Sequence, residues 1–208
     1  MATKYGLPDN SAIVQVGYLL FAPREDLTLP AVESRVLVWC KFGAGTVRAN
    51  GQTFPLEADD YVLLPWGSTI EYRASSKHPL QVGFIYLVPA LDDQDAIQQI
   101  TMEDPAQPPS SRFPGRDVQM PLLDRLVRGN FAHSRHMALE RLAEYIVQRF
   151  VHGQLDMALS RVLAQVLLGE LHRIARMGEE HYQHVPPALN RLTQYILNHL
   201  NQPLTLHE

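Results

Sequence analysis

The rhythm of hydrophobic and polar positions changes partway along the chain. In the first ninety or so residues, short runs rich in valine, leucine and aromatic side chains alternate with turn residues about every ten positions, which predicts the strands of a sandwich or barrel. The predicted strands are Ile13 to Phe21, Arg35 to Phe42, Gly45 to Ala49, Gln52 to Leu56, Tyr61 to Leu64, Thr69 to Ala74 and Gln81 to Val88. Asn50-Gly51 supplies the two positive φ angles of a type I′ turn, so Thr46 to Ala49 and Gln52 to Leu56 should form a hairpin.

After Pro121 the apolar period lengthens from about two to about 3.6. Leu139, Leu142, Ile146 and Phe150 mark an amphipathic helix over about 135–152. Leu155, Leu159, Val162 and Val166, broadened by Leu163, Leu167, Leu171 and Ile174, mark a second over about 155–177. Gly153 and Gly178 stand where a helix-ending glycine takes up the left-handed conformation at little cost.

A further helical stretch, Ala188 to Leu200, carries Leu189, Leu192, Ile196 and Leu200 in register. Thr205 and Glu208 then have the spacing of a capping box. A cap satisfies nothing unless a helix follows, so the chain reads as a fragment ending where another helix begins.

Between the two rhythms, Pro105, Pro108, Pro109, Pro114 and Pro121 forbid a continuous helix and remove ladder donors. The expected organisation is α+β: a β half at 1–104, a proline-rich crossing with a helical pair at 105–178, and a linker with the start of another helical unit at 179–208.

With 208 residues, 46% of them hydrophobic and 19% charged, the chain can bury a real core, which excludes global disorder. A net charge of −4 supplies no overall positive field for a nucleic-acid backbone. The balance is uneven: residues 1–109 hold 7 basic and 13 acidic side chains, and residues 110–208 hold 11 and 9. Cys40 is the lone cysteine, which rules out an internal disulfide and points to a reducing, cytoplasmic compartment. It is expected to be a small buried hydrophobe.

The apolar run Ala12 to Ala22 is broken by Gln15 and Gly17 and is too short to span a bilayer, so no membrane partner is expected. No glycine-rich phosphate loop is present, Ser68 has no histidine or acid nearby in sequence, and Glu33, Glu57 and Glu71 read as solvated carboxylates. No catalytic residue, metal ligand or cofactor is therefore assigned.

Gly43-Ala44-Gly45, Asn50-Gly51 and the run Leu56 to Ile70, with Pro65 and Gly67, resemble the core of a cupin barrel, the double-stranded β-helix. In that family a glycine stands six residues before the proline, a second glycine two after it, and a metal-binding histidine three further on. Here Asp59 replaces the first glycine and Ile70 the histidine, while segment 29–36 offers Leu29, Ala31 and Val36 instead of two histidines and a glutamate. The resemblance thus implies a barrel without metal ligands.

Barrel, crossing, helical pair and the run Leu189 to Glu208, taken in order, resemble AraC-family transcription regulators. The closing run is similar to the first helix of that family's DNA-binding domain and the beginning of its second. The resemblance implies an effector-sensing, homodimeric part of a transcription factor. Promoter DNA would be bound only by helix-turn-helix units beyond Glu208. The rival expectations are a metal-free cupin binding module and a small cupin enzyme, an isomerase or lyase, neither with a DNA role.

If Ile70 keeps the inward direction of the histidine it replaces, Ser68 and Tyr72 point inward with it, and Val36, Val38 and Cys40 share the face of the missing glutamate. Phe84 and Tyr86 are added from one face of the last long strand, and Trp66 from a turn by the barrel mouth. An interior of this kind suits a small apolar or aromatic effector. Paired DNA half-sites demand a symmetric contact between subunits. The broad apolar face of the second helix is the expected interface, centred on Leu159, Leu163 and Val166.

Overall fold

The computed structural model of the chain describes residues 8–92, 116–124 and 127–183, with the backbone alone for 178–183. The strands are β1 (Ala12–Phe21), β2 (Asp26–Val32), β3 (Arg35–Ala49), β4 (Gln52–Glu57), β5 (Asp60–Leu64), β6 (Ser68–Ala74), β7 (Leu80–Val88) and β8 (Val127–Asn130). A turn of 3-10 helix at Ser134–His136 leads into α1 (Met137–Val151), and α2 (Met157–Gln183) follows. The domain boundary at 104 and the helical stretch, capping box and linker after 183 lie outside the described residues.

Every strand pairing is antiparallel, and one path runs β1-β7-β3-β5-β8. The other half is built by β2 on β6, with β6 and β4 on the second part of β3. The result is an antiparallel, cupin-like fold carrying two helices. β3 is the hinge between the halves, since its Arg35 to Gly43 part pairs with β7 and its Ala44 to Ala49 part with β4.

The two strands expected at 35–42 and 45–49 are therefore one strand with a bend. A register shift falls between Cys40 and Phe42, and Gly43 takes φ +87°, where a Cβ would also overlap the Pro79 carbonyl. Glycine reads as a break in sequence because the same freedom that ends strands also bends them. The expected hairpin forms, with Asn50 at φ 50°, Gly51 at φ 81° and Ala49 paired to Gln52.

Two strands were not expected. β2 contains Pro30 and a register break between Leu29 and Val32, with Ala31 at φ 46°, so its alternation is interrupted. β8 is a four-residue strand at the end of its sheet, too short to show a period.

Successive residues of β3 and β7 divide between two cores, as the alternation of a strand dictates. Leu37, Trp39, Ile85 and Leu87 turn outward and pack with Leu139, Ile146 and Phe150 of α1 and Leu163, Leu167 and Leu171 of α2. Gly83 makes room for this layer, because a Cβ there would overlap the Trp39 indole. Ser160 pins α2 to β1: its hydroxyl donates to the Ile13 carbonyl at 2.7 Å and accepts from the Ile13 amide at 2.9 Å. Glu144 of α1 ties down the same sheet by accepting from Tyr18 Oη and Lys41 Nζ, both at 2.8 Å.

Gly153 ends α1 as expected, at φ 64°, with its amide bonded to the Phe150 carbonyl and that of Gln154 to the Arg149 carbonyl, the two bonds of a Schellman motif. Gly178 does not end α2, which continues to Gln183. A glycine inside a helix costs only about 1 kcal/mol, and Glu179-Glu180-His181 brings no breaker after it. No helix of the described residues is long and apolar enough to cross a membrane.

Candidate functional site

The inward residues of the barrel form the second core. Val36, Val38, Cys40, Ile70, Tyr72, Phe84 and Tyr86 all lie in one buried cluster, joined by Phe21, Leu29, Phe54 and Leu56. None of the last four was placed in the pocket from sequence, although Phe54 and Leu56 follow the same alternation. Phe84 and Tyr86 rings meet at 5.1 Å between centroids, and Tyr72 stacks on Phe21 at 5.7 Å.

Ser68 is buried but its hydroxyl is committed locally, donating to the Pro65 carbonyl at 2.7 Å and lying 3.2 Å from Asn50 Nδ2, which donates to it. Trp66 stands apart from this cluster. It is half-buried against the cluster of Ala12, Val88 and Leu91, so the structure does not bring it together with the other predicted pocket residues.

The polar groups of the interior are held neutral. Burial pushes the Tyr72 and Tyr86 phenols well above their ordinary range, so both remain donors at neutral pH. Tyr72 Oη is buried and has no hydrogen-bond partner among the described residues. Burial, helped by the carboxylates of Asp60, Asp59 and Glu57, pushes the Cys40 thiol up to about 11. Its Sγ faces the Phe42 carbonyl at 3.4 Å, and a thiol kept protonated in this way is a poor nucleophile.

A cupin metal has no donor set here. Ile70, in the place of the family histidine, is fully buried and pairs across β2 and β6 with Leu29, so two apolar side chains meet where ligands would be needed. Among the described residues no three histidine, cysteine, aspartate or glutamate side chains converge.

On α2 the expected interface residues separate. Leu163 is 7% exposed and belongs to the core between helices and sheet, and Leu159 is half-buried against the same cluster. Val166 is 51% exposed, with Val162 at 59% one turn before it. Of the three residues expected at the centre of the interface, Leu163 is instead buried by the outer sheet face, and among the described residues the exposed apolar surface of the helix lies at Val162 and Val166.

A cavity of about 340 Å³ opens outside the barrel, where β4 and β5 diverge beside β8 and the 3-10 turn. Its position was not legible in sequence because it depends on β8.

The AraC-like ligand binding domain matches residues 34–146, from the start of β3 into α1. No curated protein matches the chain. Among solved structures, a cupin-2 domain from Rhodospirillum rubrum is 25% identical over 36% of this chain and 50% of its own, at a TM-score of 0.31. A cupin protein from Bacteroides fragilis is 13% identical over 43% of this chain and 75% of its own, at 0.33. A cupin 2 conserved barrel domain protein from Salinispora arenicola is 19% identical over 33% and 58%, at 0.31. The chain thus spans half of the first and little more than half of the third of these, and likenesses so slight add nothing to the family match. That match takes in over half of the residues, and the chain belongs to the AraC-like ligand binding domain family.

Proposed function

We propose that this chain is the effector-sensing and dimerising part of a cytoplasmic AraC-like transcription regulator. In this reading it binds and does not catalyse. A small apolar or aromatic effector contacts the barrel interior around Tyr72, Phe84 and Tyr86, with Tyr72 Oη as its donor. Two subunits associate through the Val162 and Val166 side of α2, and helix-turn-helix units beyond Glu208 contact promoter DNA.

The observation that carries this reading is the family match over residues 34–146, which joins the barrel to the first helix in a single unit. The net charge of −4 supports it too, since DNA contacts made by another part of the protein ask for no positive field here. Reading the gene past codon 208 tests the proposal. Two helix-turn-helix patterns are expected in the continuation, and a stop codon there would leave the chain as a cupin binding module without a DNA partner.

A further inference from the structure

The cavity outside the barrel has two faces of different chemistry. Phe54, Leu56 and Val62, members of the barrel-interior cluster, line it where β4 and β5 separate, and Pro55 adds to this apolar wall. The opposite rim carries Arg128 of β8 and Arg135 and His133 of the loop and 3-10 turn. Arg128 and Arg135 both also border a smaller cavity beside Ile174 and Met177 of α2.

Neither arginine has an ion-pair partner among the described residues. The nearby acids are already engaged. Asp60 accepts from Asn130 Nδ2 at 2.9 Å and from the Glu57 amide at 3.0 Å, one bond on each oxygen, and Glu170 is paired with Arg173. Arg173 in turn donates to the Arg135 carbonyl at 2.7 Å, which fixes the backbone from which Arg135 projects. With two arginines that lack an ion-pair partner among the described residues against one hydrogen-bonded carboxylate, the rim is positive.

We propose that this cavity is a binding site for a small organic monocarboxylate, its apolar body against Phe54, Pro55 and Val62 and its carboxylate held by Arg128 and Arg135. The volume lies at the lower end of ordinary small-molecule sites. Planar guanidinium groups match the carboxylate fork. The apolar wall selects against inorganic anions, which would leave it covered by nothing but water. The site adjoins the barrel interior proposed above to hold an effector, with Phe54, Leu56 and Val62 belonging to both, and it stands without that reading.

The test uses the whole chain and 4-fluorobenzoate as the probe, followed by fluorine NMR, with amide shifts of Gly129 and Asn130 reporting the position. Binding is expected for the wild type, at least about tenfold weaker for the uncharged 4-fluorobenzamide and at least about tenfold weaker for the Arg128→Gln/Arg135→Gln double variant. Both arginines are exposed, so the variant keeps the fold, which circular dichroism checks. Tyr72→Phe, inside the barrel, should leave the affinity unchanged. Equal affinity in the double variant, or no binding to the wild type up to about 10 mM, overturns the site. Loss in Tyr72→Phe alone also overturns it, while supporting the barrel as the place where this probe binds.

Discussion

Tyr61 and Gly129 stand opposite one another across β5 and β8, so close that a Cβ on Gly129 would lie 2.6 Å from Tyr61 Oη. The same Cβ would lie 2.7 Å from His136 Cε1, and the Tyr61 ring stacks on Phe131 at 4.8 Å. Gly129 is therefore what lets β8 and the 3-10 turn close over Tyr61. Gly129→Ala should destabilise the chain by about 1–3 kcal/mol through overpacking. Tyr61→Phe should recover part of that loss in the double variant, because it removes the nearest clashing atom. Tyr61 Oη is also buried without a hydrogen-bond partner among the described residues, so Tyr61→Phe alone should be neutral or stabilising by up to about 1 kcal/mol. Urea unfolding of the four proteins checks this, and purely additive effects would contradict the contact.

Ser160 offers a cleaner test of how α2 is attached. Its hydroxyl serves both the amide and the carbonyl of the fully buried Ile13, next to a break in the β1 register. Ser160→Ala leaves these two backbone groups without that partner, at an expected loss of about 2 kcal/mol, where an exposed serine in a helix would cost almost nothing. An unfolding midpoint equal to the wild type would show that the backbone of β1 finds other partners.

His136 sets a pH dependence. Burial is the main cause holding its pKa below the usual imidazole value, opposed by the bond from Nδ1 to the Asn130 carbonyl at 3.0 Å and reinforced by the charges of Arg135, His133 and Arg173. Below about pH 6.5 the unfolded chain takes up a proton at this position that the folded chain refuses. Stability contributed here is present above that pH and is lost as the pH falls. The advantage of the wild type over His136→Gln, measured by denaturant unfolding, should shrink from about pH 7 to about pH 5; a constant difference would place the imidazole in solvent.

The two faces of α2 separate folding from association. Aspartate at Leu163 puts an unpaired charge in the core between helices and sheet, and the variant should unfold. Aspartate at the half-exposed Val166 should leave the subunit folded and break a dimer formed through that face. Sedimentation with circular dichroism distinguishes the cases: a folded, dimeric Val166→Asp protein would move the interface elsewhere.

Alternation was the most legible feature of the sequence. The carry-over from Ile70 to Ser68 and Tyr72, and from Val36 to Val38 and Cys40, names residues that the structure does bury on one side of their strands, because a period of two admits no other arrangement along an unbroken strand. Trp66 escaped that logic, since it lies in a turn, where direction follows the chain path rather than a period. Leu163 escaped as well: a helix pattern gives the width of an apolar face but not the width of the sheet it meets. Arg128 and Arg135 carried no local signal, because the cavity they share exists only once β8 has paired with β5.

The central claim, that this chain senses and dimerises for a DNA-binding regulator, is tested most directly on the product of the whole gene by selection from random-sequence DNA. Recovery of paired half-sites, spaced by about one helical turn of some 34 Å or a multiple of it, is the expected result. Failure to enrich any sequence at salt low enough for nonspecific DNA binding would contradict the claim.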